Sequence, residues 1–119
     1  MDSGCIFCRI ISGDAPAEIL YHDGAVTAFV DTHPVTPTHI LVVPNQHITS
    51  LNECTSEDEA MLGKLIMVAR RISADFQLRS SGYRLVINTG QDAGQSVFHL
   101  HLHLLGGRRM PFHFRESNS

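Results

Sequence analysis

Gln95-Ser96-Val97-Phe98-His99-Leu100-His101-Leu102-His103-Leu104-Leu105-Gly106-Gly107 alternates imidazole with leucine through its middle. Successive side chains of a β-strand point to opposite faces, so the pattern predicts a strand with His99, His101 and His103 on one side and Leu100, Leu102 and Leu104 on the other. Same-face neighbours on a strand lie roughly 6.5 to 7 Å apart. The leucines require an apolar core. The imidazoles, able to act as nucleophile, acid-base or metal ligand near neutral pH, face something else. A polar face chosen for solubility would mix Lys, Thr and Glu.

The elements around this strand follow from local signals. Arg9 to Ser12 reads as a short helix stopped at Gly13. Glu18–His22 and Ala25–Val30 read as strands joined at Asp23-Gly24, a hairpin dipeptide. Two prolines make residues 32–38 a loop, and His39–Val43 is a third, buried strand ended by Pro44. Thr55-Ser56-Glu57-Asp58-Glu59 predicts a helix start with Ser56 as cap and Glu59 closing a capping box. That helix is expected to run to about Phe76 with Leu62, Leu65, Ile66, Ala69, Ile72 and Phe76 inward and Lys64, Arg70, Arg71 and Asp75 outward. Tyr83–Asn88 is a fourth strand, followed by a polar glycine loop. The sum is an α+β domain, a five-stranded antiparallel sheet with one long and one short helix.

Length and composition bound the function. A chain of 119 residues, 43% hydrophobic and 18% charged, supports one domain with a real core. A net charge of −3 without a Lys/Arg stripe argues against a nucleic-acid partner. No apolar run is long enough to span a membrane, and the first residues lack a basic n-region and apolar h-region, so a cytoplasmic location is expected. Three cysteines form no disulfide framework. Cys5-Ile6-Phe7-Cys8 suits two thiolates on one zinc, and the spacing equally suits a thiol redox pair. Cys54 reads as a bystander. Gln95 and Ser96 offer donors beside the imidazole row, Gly106-Gly107 permits a sharp turn after it, and a strand carrying His-x-His could by itself hold a catalytic metal.

The stretch from Gln95 to Arg108 resembles the signature of the histidine triad superfamily, three histidines separated by apolar residues. Gln-Ser before it and Leu-Gly-Gly-Arg after it resemble the Hint branch, the histidine triad nucleotide-binding proteins. The likeness continues through Ile6 to Ile11, Thr38 to Pro44 and Asn88-Thr89-Gly90, and covers residues from about 5 to 109. It implies a single HIT-like domain and a phosphoramidase or nucleotidyl hydrolase acting on purine nucleoside monophosphate derivatives. His101 would attack the α-phosphorus to form a covalent nucleotidyl-histidine, which water then hydrolyses. The resemblance assigns phosphoryl contacts to His103 and support to His39. It places Ser96 near the leaving nitrogen, Asn88 near the phosphate and Asp31 at the ribose; Gln95, from its amide alone, is a candidate donor to a phosphoryl oxygen or the leaving group. Ile6, Phe7, Ile10, Phe29 and Leu41 would wall the base pocket.

Relatives carrying Cys-x-x-Cys imply one structural zinc per chain on Cys5, Cys8, His47 and His99. The resemblance also implies a homodimer with the long helix and residues 83–89 near its axis. His22, His33 and His113 match no family position and read as surface or packing residues. The tail from Met110 departs from the branch's Trp-Pro-Pro-Gly ending, which bears on the leaving group. Two alternatives share the pocket: a dinucleoside polyphosphate hydrolase, whose Fhit-like branch usually has Gln-Thr-Val-Pro before the triad, and a nucleotide-binding regulatory module with incidental hydrolysis.

Overall fold

A computed structural model of the chain describes residues 4–111. The unusual tail from Phe112 onward, with His113, lies outside the described residues. Two helices, α1 (Ile6–Ser12) and α2 (Glu59–Asp75), accompany strands β1 (Ile19–His22), β2 (Val26–Val30), β3 (Thr38–Pro44), β4 (Tyr83–Val86) and β5 (Leu102–Gly106). The strands form one antiparallel sheet in the order β1-β2-β3-β5-β4.

The two faces of the sheet pack against two cores, and β2 and β3 contribute to both. Val26, Ala28, Ile40, Val42, Leu102 and Leu104 point to α2, meeting Leu65, Val68, Ala69 and Ile72. That helical set has the i, i+3, i+4, i+7 spacing of one buried stripe. Phe29, Leu41 and Val43 point the other way, into a smaller core closed by Cys5, Phe7 and Cys8. The short N-terminal helix therefore covers the face on which the imidazoles lie.

Several local expectations shift for physical reasons. The capping box is Thr55 with Asp58, one residue before the expected pair, and it opens a single 3₁₀ turn (Ser56–Asp58) ahead of α2. Cys5 itself caps α1, its Sγ accepting from the Cys8 N–H, so α1 starts earlier than Arg9. Gly13 ends it at φ 88°. The Asp23 carboxylate shapes the hairpin by accepting from the Ala25 and Val26 N–H groups, and the returning strand begins at Val26. The same carboxylate pairs with Lys64 and so ties the hairpin to α2. Ile66 and Phe76, expected inward, are 48% and 41% exposed.

The predicted triad strand is shorter than its alternation. Only Leu102–Gly106 joins the ladder. Upstream, the Leu100 N–H donates to the Ile48 carbonyl at 2.6 Å, so this segment is held by the chain after β3. Alternation nonetheless persists: Leu100 joins the α2 core, while His99 and His101 lie edge-on to Phe7. After the strand, Gly107 takes φ +98°, and a Cβ there would meet Pro37 Cβ at 2.9 Å. A glycine is needed for that turn on both counts.

Candidate active site and metal cluster

The sheet register places the first part of the site. Leu41 sits opposite Phe29 on one side and His103 on the other, so all three share the α1 face. One step further, the Asp31 N–H donates to the His39 carbonyl at 2.9 Å, extending the β2–β3 pairing and setting their side chains on the same face. α1 supplies Ile6, Phe7 and Ile10 above them. Between these elements lies a cavity of about 450 Å³ lined by Ile6, Phe7, Ile10, Leu41, Asp31, Thr32, His33, Ser96, Val97, His101 and His103. That volume suits a small ligand, and its apolar walls face a polar end of carboxylate, hydroxyl and imidazole.

Partners that can only donate or only accept fix the tautomers. A backbone N–H, that of Val35, donates to His39 Nδ1 at 3.1 Å, so His39 carries its proton on Nε2. His39 Nε2 lies 2.9 Å from His103 Nδ1, which must accept, leaving the His103 proton on Nε2. His101 Nδ1 is 2.7 Å from the His99 carbonyl and must donate, so its lone pair is on Nε2. The His101 and His103 rings are 4.9 Å apart, closer than the strand repeat because both lean over the cavity. One imidazole thus offers a lone pair and its neighbour an N–H.

Burial keeps these rings neutral. It pushes His101 and His39 below the ordinary histidine range, outweighing the nearby Asp31 charge. His103 is pushed down to about 4, first by burial and then by the adjacent His101 and His39. A neutral imidazole is the nucleophilic form.

His99 turns to a second cluster. Its Nε2 donates to the Pro44 carbonyl at 2.8 Å, which leaves the Nδ1 lone pair facing Cys5 Sγ at 3.4 Å and Cys8 Sγ at 3.6 Å. His47 Nδ1 lies 3.3 Å from Cys8 Sγ. The ligand atoms of Cys5, Cys8, His47 and His99 all fall within 4.8 Å of one another, so the group could hold a metal. Two thiols, two imidazoles and a carbonyl orienting one ring fit a tetrahedral ion. The three triad histidines do not share a ligand set, since His99 belongs to this group and His101 to none found among the described residues. Asp31, His39 and His103 also converge. There the His39 proton occupies Nε2, the atom an ion would need, so a proton rather than a metal joins those groups.

Other expected residues sit further out. Phe29 packs behind Phe7 at 5.4 Å and does not line the cavity. Gln95 is buried, and both donors of its amide go to the Thr49 and Val97 carbonyls while its oxygen accepts from the Gly90 N–H. It braces the loop before the triad. Asn88 is half-buried beyond β4 and outside the cavity lining. Conversely, Thr32, His33 and Val97 line the cavity. Thr32 and His33 lie in a loop, which carries no periodicity to mark them, whereas Val97 falls on the imidazole face by the same alternation as His99 and His101. Ser96 and Val97 also border a second cavity, of about 440 Å³, that reaches Cys5 and His47.

The family model for the HIT domain matches residues 12–110. The purine nucleoside phosphoramidase of Escherichia coli K12 is 47% identical over 103 residues, covering 87% of each chain. A HIT-like protein of Synechococcus elongatus is 48% identical over 110 residues, 92% of this chain and 96% of that one. Among solved structures, a HIT family hydrolase from Clostridium thermocellum superposes with a TM-score of 0.92 at 37% identity, over 97% of this chain and all of that one. One from Legionella pneumophila gives 0.87 at 40% identity, over 89% and 95%.

Proposed function

The chain belongs to the HIT domain family, and from that premise we propose that it is a purine nucleoside phosphoramidase working through a nucleotidyl-histidine. The observation that carries the reading is the His101 tautomer. With Nδ1–H spent on the His99 carbonyl, Nε2 presents a lone pair at a cavity of nucleotide size.

In this reading the base lies among Ile6, Phe7, Ile10 and Leu41, with Phe29 behind them, and the ribose hydroxyls reach Asp31. His101 Nε2 attacks the α-phosphorus. The bond to the leaving nitrogen breaks, and that nitrogen departs as an amine after taking the Ser96 hydroxyl proton, which exposed Ser96 recovers from solvent. Charge gathers on the phosphoryl oxygens, where the His103 Nε2–H donates, while His39 holds His103 in the donating tautomer. Water then attacks phosphorus, the P–Nε2 bond breaks, and nucleoside monophosphate leaves with His101 neutral again. Asn88 and Gln95 serve the phosphate end indirectly, through the loop that carries Ser96.

Zinc on Cys5, Cys8, His47 and His99 would supply no chemistry to this sequence; it would fasten α1 to the triad segment. A homodimer and a cytoplasmic location complete the reading. The exposed Ile66 and Met67 of α2 and the position of β4 at the sheet edge support the first. No described helix is long and apolar enough to cross a membrane. Incubation with adenosine 5′-phosphoramidate, quenching and intact mass measurement test the mechanism. A transient nucleotidyl increment mapping to His101 is expected; steady turnover without any adduct under single-turnover conditions would refute the covalent route.

A further inference from the structure

Asp31 does more in this structure than line the sugar end of the cavity. Its Oδ1 accepts from the His33 N–H at 2.8 Å, and its Oδ2 lies 3.3 Å from His39 Nε2. The His39 side chain is 5% exposed and that of Asp31 19%, so little water intervenes. His39 has one proton to offer on Nε2, because Val35 occupies Nδ1. Two acceptors stand within reach of it, His103 Nδ1 at 2.9 Å and the Asp31 carboxylate.

We propose that Asp31 is a positioning residue that couples ribose binding to phosphoryl stabilisation by competing with His103 for the His39 proton. The inference rests on the nucleotide reading above. Without ligand, the His39 N–H already bonds His103 Nδ1 at 2.9 Å, but the Asp31 carboxylate, 3.3 Å away, pulls on the same proton and weakens that bond. Ribose hydroxyls that donate to Asp31 satisfy its oxygen and release that N–H to His103 Nδ1. An imidazole that accepts at one nitrogen becomes a better donor at the other, because hydrogen bonds in a chain polarise one another. The His103 Nε2–H then binds the phosphoryl oxygens more strongly as their charge grows. The sugar is therefore read in the rate and not only in affinity.

The test compares adenosine and 2′,3′-dideoxyadenosine 5′-phosphoramidates on the full-length protein by rapid-quench measurement of adduct formation at saturating substrate. For the native protein the dideoxy substrate should show a raised KM and a saturating rate about fivefold lower, the worth of one modest hydrogen bond. In Asp31→Asn the amide oxygen keeps the His33 N–H, turning NH₂ toward His39, which cannot accept. The His39 proton then goes to His103 whatever the sugar, so KM rises for the ribose substrate while the two saturating rates become equal. A native protein whose saturating rate is the same for both sugars, with only KM changed, overturns the coupling and leaves Asp31 a ribose contact. Persistence of the rate difference in Asp31→Asn overturns it as well. Failure of both substrates to react at all refutes instead the phosphoramidase reading, and this inference with it. The native comparison decides even where the variant does not fold.

Discussion

At the scale of single residues, the site is a set of protons whose positions are forced by neighbours. The His99 carbonyl fixes His101, and the Val35 amide fixes His39 and through it His103. His101→Ala should abolish adduct and turnover yet keep nucleotide affinity within a few-fold, because the walls and the His103 donor remain; calorimetry with nucleoside monophosphate and a turnover assay check this. His103→Ala removes one donor from the developing charge and should cost on the order of 10²-fold in rate, less than the loss of the nucleophile. The depressed pKa values also set the pH response. An ordinary histidine, pKa near 6.5, would lose about three quarters of its neutral form by pH 6. With His103 down to about 4 and His39 also lowered, the saturating rate at pH 6 should stay within about twofold of that at pH 7.5. Stability follows the same sign: the unfolded chain takes up the His103 proton near pH 6.5 and the folded chain only near 4. Folding stability is therefore whole above pH 6.5 and declines as pH falls toward 4.

At the scale of elements, α1 matters out of proportion to its length. It carries Cys8 and is capped by Cys5, and the same turn and a half carries Ile6, Phe7 and Ile10 into the cavity wall. Phe7 touches His99 and His101 edge-on, with centroids 5.8 and 5.1 Å away. An ion on Cys5, Cys8, His47 and His99 would hold that helix down, so chelation or Cys5→Ser/Cys8→Ser should lower Tm by about 10 °C and raise KM more than it lowers kcat. Metal analysis finding less than about a tenth of an equivalent of zinc, or unchanged melting in the double variant, would leave the cysteines as ordinary thiols. Much of this was legible before any coordinates. The sheet, the two helices and the imidazole face came from local pattern; the cysteine spacing pointed to zinc or a redox pair, and only the family resemblance supplied His47 and His99. What escaped has physical causes. Strand alternation describes side-chain direction and not pairing, so it could not show that His99 and Leu100 are bound to Pro44 and Ile48 instead of the ladder. Capping boxes at Thr55 and Ser56 differ by one residue and use interchangeable side chains. Gln95 looked available because an amide beside a triad has no sequence mark for the backbone partners that consume it.

At the scale of the whole molecule, the exposed apolar residues of α2 bear on assembly. The apolar residues of α2 divide: Leu65, Val68, Ala69 and Ile72 are buried, while Ile66, expected inward, and Met67, outside the expected stripe, stand 48% and 56% exposed. Helical spacing could not separate Ile66 from the buried set, since an apolar residue packs equally well on its own sheet or on another chain. β4, at the edge of the sheet, leaves backbone groups facing outward, and natural proteins cover or blunt such edges. A two-fold axis beside α2 and β4 would set the same patch against itself, burying Ile66 and Met67 of both copies and shielding the two edges. Such an interface has to bury on the order of 1,000 Å² or more to persist at micromolar concentration. The paired substitution Ile66→Glu/Met67→Lys places charges at its centre without touching the buried stripe. Sedimentation should give a dimer for the native chain and a monomer for the variant, with melting of the monomer lowered only modestly because the α2 core is intact. A native monomer at micromolar concentration would refute the assembly. Because β4 pairs with β5 and Val86 lies opposite His103, such an interface would brace the strand that carries His103. The monomeric variant should accordingly bind nucleotide normally while losing several-fold in saturating rate, a separation that simple unfolding would not produce.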